Sequence, residues 1–207
     1  MTSLPFDADD FLHEQAGPRR FDGVTIALHW LTVLLLIGLF ASIWSLESVE
    51  DGETAAFLLT LHRSLGVLLW ITAVVRIGRR FGRAVLPPFP ATMGPLQQWA
   101  ARLSEYGLYA LLLVQPLTGV AQSLARGRPF AIFGSDVPAL MQRNRDLTHL
   151  LHELHENAAW LLLGLIALHV LAAIFHHVVA RDEVLQSMLP WKQASAVKSH
   201  LFVEPGE

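Results

Sequence analysis

The chain has 207 residues, of which 53% are hydrophobic and 16% charged, with a formal net charge of −3. That balance is too apolar for an ordinary water-soluble domain of this length, and so small a net charge gives no reason to expect a nucleic-acid partner. There is no cysteine, which excludes disulfides, thiolate-held iron–sulfur clusters and any group attached through Cys-x-x-Cys-His.

Residues 1–20 carry Asp7, Asp9, Asp10 and Glu14 and no apolar run, so they read as an extension without a cleavable signal. The pair Arg19-Arg20 is followed by Phe21-Asp22-Gly23 and by no cleavage site, which argues against twin-arginine export. Three stretches then contain no charged residue: 24–46, 106–125 and 157–180. A fourth, 54–75, is broken only by Arg63. Each is about the 20 residues that a membrane-spanning helix needs. The expected fold is all-α, an integral membrane four-helix bundle over residues 21–190, with a tail at 191–207.

Between the second and third spans lie Pro87-Pro88-Phe89-Pro90 and Gly94-Pro95, which cannot continue a helix. Residues 96–103 are expected along the membrane interface. Pro116 is expected to kink the third span. Asp146 is a candidate cap for the fourth helix, which would then project beyond the membrane before Asn157.

Charge orients the bundle. Arg19, Arg20, Arg76, Arg79, Arg80, Arg83, Arg102, Arg181, Lys192 and Lys198 flank one set of span ends. The first connection is acidic instead, with Glu47, Glu50, Asp51 and Glu53. The positive-inside rule places both termini and the second connection in the cytoplasm, with ten basic residues inside against five outside.

Ionisable residues within membrane spans carry a functional hypothesis by default. His155 and His169 are 14 residues apart, nearly four helical turns, and so share a face at a separation of roughly 21 Å. His29 falls in the inner half of the first span and His62 in the outer half of the second. By depth the four form two pairs, His29 with His169 and His62 with His155. Two stacked haems, each held between two imidazoles, require this arrangement. Such ligation leaves no open iron position and suits electron transfer rather than oxygen binding. Without Cys-x-x-Cys-His the haems would be b-type, and arginines at both membrane faces could meet their propionates.

A single membrane histidine can simply hydrogen-bond a neighbouring helix; four at two matched depths make that reading weaker. A zinc site in residues 148–156 is the other rival. That segment is not His-Glu-x-x-His, and steps of three drift about 60° each time, so His149, His152 and His155 do not share one face.

These residues resemble the bacterial cytochrome b561 family of four-helix dihaem membrane proteins. The resemblance is carried by His29-Trp30, by His62-Arg63-Ser64-Leu65-Gly66 and by Leu108-Tyr109 followed by Pro116-Leu117-Thr118-Gly119. It continues through Arg126-Gly127-x-Pro129-x-x-x-Phe133-Gly134, His155-Glu156, His169 and His176-His177. It implies a multi-pass oxidoreductase of the bacterial inner membrane with two haem b groups. The iron ligands would be His29, His62, His155 and His169, with Arg126 as a propionate contact. It also implies ubiquinone or a related quinone near the cytoplasmic end, with His176 as its contact. Some members resemble superoxide oxidases, which suggests superoxide as a small outer-side donor, drawn by Arg126 and Arg128. The chain departs from the pattern at Glu105-Tyr106, where a histidine is expected; Glu105 reads as an interfacial charge or a group exchanging protons with a quinone. Alternatives are a cytochrome subunit of a larger dehydrogenase or hydrogenase, and a haem-free module such as a metal transporter. Beyond lipid, quinone and donor, a homo-oligomer stays open as a partner state.

Overall fold

The computed structural model of the chain describes residues 20–82, 86–90 and 92–190. Arg83, the extension before residue 20 and the tail 191–207 lie outside the described residues. Four helices dominate: α1 (Gly23–Leu46), α2 (Gly52–Gly82), α3 (Pro95–Ala125) and α4 (Arg145–Phe175). All four are long and apolar enough to cross a membrane. A two-stranded antiparallel hairpin, β1 (Phe130–Ile132) with β2 (Ser135–Val137), lies between α3 and α4.

The helices run antiparallel to their sequence neighbours. Asp22 at the start of α1 meets Arg79 near the end of α2, at 2.7 Å. Arg80 of α2 meets Glu105 in the early part of α3 at 2.9 Å. Late in α3, the Gln115 amide reaches the His155 carbonyl of α4 at 2.8 Å. One end of the bundle therefore carries the hairpin; the opposite end carries Arg20 and Pro190.

The core is a thin central seam of Leu35, Leu39, Leu69, Ala73, Leu112 and Leu162. Around it the apolar surface faces outward: Leu34 is 65% exposed and Leu168 64%. An outer surface so apolar suits a lipid solvent, in which backbone groups must bond within each helix. Polar residues in the seam obey the same constraint. Thr32 donates to the Leu28 carbonyl and Ser42 to the Leu39 carbonyl one turn back.

Helix ends show their chemistry plainly. Asp22 caps α1, its Oδ1 accepting from the amides of Val24 and Thr25 at 3.1 Å each. The Thr25 hydroxyl hydrogen bond holds the Asp22 carboxyl below its ordinary value of 3.8, and the Arg79 guanidinium acts in the same direction. Its folded-state value is depressed, so this contribution is complete above pH 3.8 and is lost as pH falls through the lower folded value. Asp22→Ala should cost about 1 kcal/mol of stability at neutral pH and flatten the acid limb of a stability–pH curve.

Three expectations are corrected. Residues 96–103 are the first turns of α3 rather than a separate interfacial segment. The Gly94-Pro95 step explains this: Gly94 holds extended backbone and Pro95 opens the helix, a first-turn position where its missing N–H costs nothing. Asn144, not Asp146, caps α4, its side chain accepting from the Leu147 amide, while Asp146 sits in the first turn. The helix also ends earlier than its apolar run, passing at His176 into a π-turn (His176–Ala180) closed by Arg181 in the left-handed region.

The loop after α3 is shaped by its glycines. Phe133 and Gly134 have φ of 51° and 73°, the two positive angles of a tight hairpin turn. The Phe133 amide donates to Ser64 Oγ at 2.8 Å, pinning the hairpin to α2, and Arg63 lies 5.4 Å from the Phe130 ring centre.

Candidate functional site

Four histidines on three helices meet as two facing pairs. His62 and His155 have ring centroids 6.3 Å apart at the hairpin end. His29 and His169 have centroids 6.3 Å apart toward the opposite end. An imidazole nitrogen stands about 2.0–2.1 Å from a metal and about 1.1 Å from its own ring centre, so two rings on opposite sides of one metal are separated by roughly 6.2–6.4 Å. Both pairs have that separation. The pairing expected from charge and helical spacing is the one the fold brings together.

The hairpin-end pair is held by backbone carbonyls. His62 Nδ1 donates to the Leu39 carbonyl at 3.2 Å, with Ser42 Oγ also at 3.2 Å. His155 Nδ1 donates to the Gln115 carbonyl at 3.1 Å, beside the Thr118 hydroxyl at 2.9 Å. A carbonyl can only accept, so each Nδ1 carries the hydrogen and each Nε2 keeps its lone pair. That is the tautomer a metal ligand needs, oriented by the contact typical of ligating imidazoles.

The same residues fasten α3 to α4 in both directions. The Gln115 carbonyl takes the His155 imidazole hydrogen while the Gln115 side chain donates to the His155 carbonyl. Gly119 permits the approach: a Cβ there would lie 3.1 Å from His155 Cε1. Gly119→Val should therefore push the imidazole out of line, and haem at this site should fall by well over half while the other site persists. The check is haem per chain in the purified variant.

Both rings line a cavity of about 550 Å³ between α1, α2, α3 and α4, walled by apolar groups such as Leu36, Phe40, Val120 and Trp160. This is a cofactor-sized space, which generally falls between about 300 and 1,000 Å³. Gln115 Oε1 is buried on its wall with no hydrogen-bond partner among the described residues. Gly66 also lines it, and a Cβ there would meet nothing within 4 Å. The imidazole separation, the tautomers, the orphaned oxygen and the open wall fit a planar, largely apolar group ligated from both sides.

The second pair sits amid cations. Arg76 donates to Thr32 Oγ1 at 3.0 Å and its other terminal nitrogen lies 3.4 Å from His29 Nδ1. Its guanidinium is 5.5 Å from the Tyr109 ring centre. Trp30 packs edge-on to His29, and its indole N–H donates to the Met188 carbonyl at 2.9 Å. Glu105 is ion-paired with Arg80.

His176 lies seven residues beyond His169, at the start of the π-turn after α4, and is buried against Asp182 with Nδ1 to Oδ2 at 2.5 Å. Arg126 lines the mouth of the hairpin-end cavity. His149 and His152 are exposed and face Glu153 and Glu156 one turn on. Ser42 and Gln115 have no place in the sequence analysis, their one signal being polarity within apolar spans, while Arg76 and Thr118 figure there only as a flanking charge and as part of a motif.

A family model for prokaryotic cytochrome b561 matches residues 20–191. The chain belongs to the prokaryotic cytochrome b561 family. Among curated relatives it is 32% identical over 180 residues to "Cytochrome b561 homolog 2" of Escherichia coli (strain K12), covering 83% of this chain and 92% of that protein. It is 30% identical over 176 residues to "Cytochrome b561 homolog 1" of the same organism, covering 83% and 98%. It is 29% identical over 175 residues to "Probable superoxide oxidase CybB" of Yersinia pestis, covering 84% and 98%. As a cytochrome b561 with four spanning helices, the chain is a multi-pass protein of the bacterial inner membrane, a b-type cytochrome in electron transfer.

Proposed function

We propose that this cytochrome b561 carries electrons across the membrane from a small anionic donor, superoxide, at the hairpin end to a quinone at the opposite end. The observation that carries the reading is the pair of histidine–histidine separations, 6.3 Å each, stacked along the bundle. His62 and His155 would ligate one haem b and His29 and His169 a second. Haem supplies one-electron chemistry with both axial positions filled.

The residues of the chain do the rest. Leu39 and Gln115 carbonyls fix the hairpin-end imidazoles, and the apolar cavity wall excludes water. Arg126, which lines the same cavity, would be the partner of a haem propionate. Because helix rise sets the ligand levels roughly 21 Å apart, both redox groups fit within a hydrocarbon core of about 30 Å. His176, its Nδ1 committed to Asp182, is the contact assigned to a quinone oxygen. The balanced reaction takes one electron from each of two superoxide ions and two protons from the cytoplasm, giving two O2 and one quinol.

The larger number of basic residues at the opposite end supports a cytoplasmic position for it, with the hairpin facing outward. A reduced-minus-oxidised absorption spectrum with haem quantified per chain tests the reading first. Two low-spin b haems per chain are expected, followed by stopped-flow reduction with superoxide and reoxidation by a short-chain ubiquinone. One haem or none sinks the dihaem assignment; two haems without superoxide oxidation sink the donor assignment alone.

A further inference from the structure

A second cavity, about 480 Å³, opens at the hairpin end and is walled by Arg126, Arg128, Arg143 and Arg145 with Gln122 and Thr148. Like charges converge here, since Arg63 adds its field close to Arg126. Among the described residues none of these five arginines has a carboxylate within ion-pair distance.

The convergence is built into the backbone. Gly127, at φ 61°, comes so close to the following loop that a Cβ there would lie 2.4 Å from the Arg143 nitrogen. The Asn144 amide closes the loop on the Ala125 carbonyl at 3.0 Å. The backbone at Arg126 and Arg128 is thereby held beside that at Arg143 and Arg145. A fixed cluster of unmatched guanidinium groups around one hollow calls for an anionic ligand.

Size and charge choose its class. The hollow, about 480 Å³ and open to solvent, is far larger than a diatomic anion needs. Even two carboxylates from a group seated below would leave two of the four guanidinium charges unmatched. Guanidinium forks match phosphate oxygens in pairs. We propose that this pocket is a phosphate-class oxyanion site, formed chiefly by Arg128, Arg143 and Arg145 and adjoining the histidine cavity, with which it shares Gln122, Arg126 and His152. Leu140 and Met141, on the loop that carries Arg143, are 66% and 45% exposed, and exposed apolar groups beside a cationic hollow suit a lipid as well as water, so the phosphate is either free or the headgroup of an anionic phospholipid.

The site stands independently of donor and quinone identity, and its test needs neither. The haem-loaded full chain, delipidated in neutral detergent, is titrated calorimetrically with inorganic phosphate while chloride holds ionic strength constant. Saturable binding with a Kd in the millimolar range or tighter is expected. The R143Q/R145Q double variant should weaken it at least tenfold with an unaltered haem spectrum, and R128Q serves should that variant fail to fold. Repeating the titration in nanodiscs of phosphatidylcholine, with and without phosphatidylglycerol, separates the sources. Loss of the phosphate signal with phosphatidylglycerol identifies the lipid headgroup; its persistence identifies free phosphate. A heat no larger than chloride gives, or one undiminished in the arginine variants, overturns the proposal.

Discussion

Replacing His155 by alanine is expected to remove one haem and leave the other, cutting haem per chain by about half. The imidazole is one of two facing ligands, and the remaining His62 cannot restore a second bond from 6.3 Å away. His169→Ala should have the same effect at the other site, and the two losses should be spectroscopically different. Loss of bound cofactor also removes its mass-action stabilisation, so both variants should melt earlier than the parent. His149→Ala is the control: that ring is exposed and faces only Glu153, so its loss should leave both haems in place. Two haems retained in either His155→Ala or His169→Ala would break the ligand assignment.

Arg76→Met should lower the midpoint potential of the redox group held by His29 and His169. Arg76 keeps its charge at any accessible pH, and Glu105 is ion-paired with Arg80. A fixed cation beside the site disfavours the oxidised, more positive state. One unit charge at about 8 Å in an effective dielectric of about 20 contributes about 2 kcal/mol, which for a single electron is roughly 90 mV. Arg76→Lys, which retains the charge, should preserve most of the potential. A redox titration with both sites resolved makes the measurement; a potential unmoved in Arg76→Met would show that the charge is screened from the site.

The sequence showed the four spans and the depth of each histidine, because apolar runs and the 3.6-residue period are local properties. Pairing His29 with His169 and His62 with His155 followed from helix direction, which alternates in any antiparallel bundle with short connections. What holds the imidazoles was not legible. The Leu39 and Gln115 carbonyls belong to residues whose identity does not announce the contact. Gly119 matters for the Cβ it lacks, a requirement visible only once α4 lies against α3. The same applies to Gly127: as a letter it marks a turn, and only the fold shows its close approach to the Arg143 backbone. The cap of α4 was misplaced by two residues because Asn144 and Asp146 are both good caps, and backbone geometry alone decides between them.

Helix α4 gives one imidazole to each pair, and this makes it a ruler. A residue inserted or deleted anywhere between His155 and His169 would turn one ring about 100° away from its partner and shift its level by about 1.5 Å. The neighbouring helices each supply one ring and could slide to accommodate a change of length; α4 cannot satisfy both sites at once. The thirteen residues between those two histidines can therefore change in identity without disturbing the pairs, but a change in their number would break one of them.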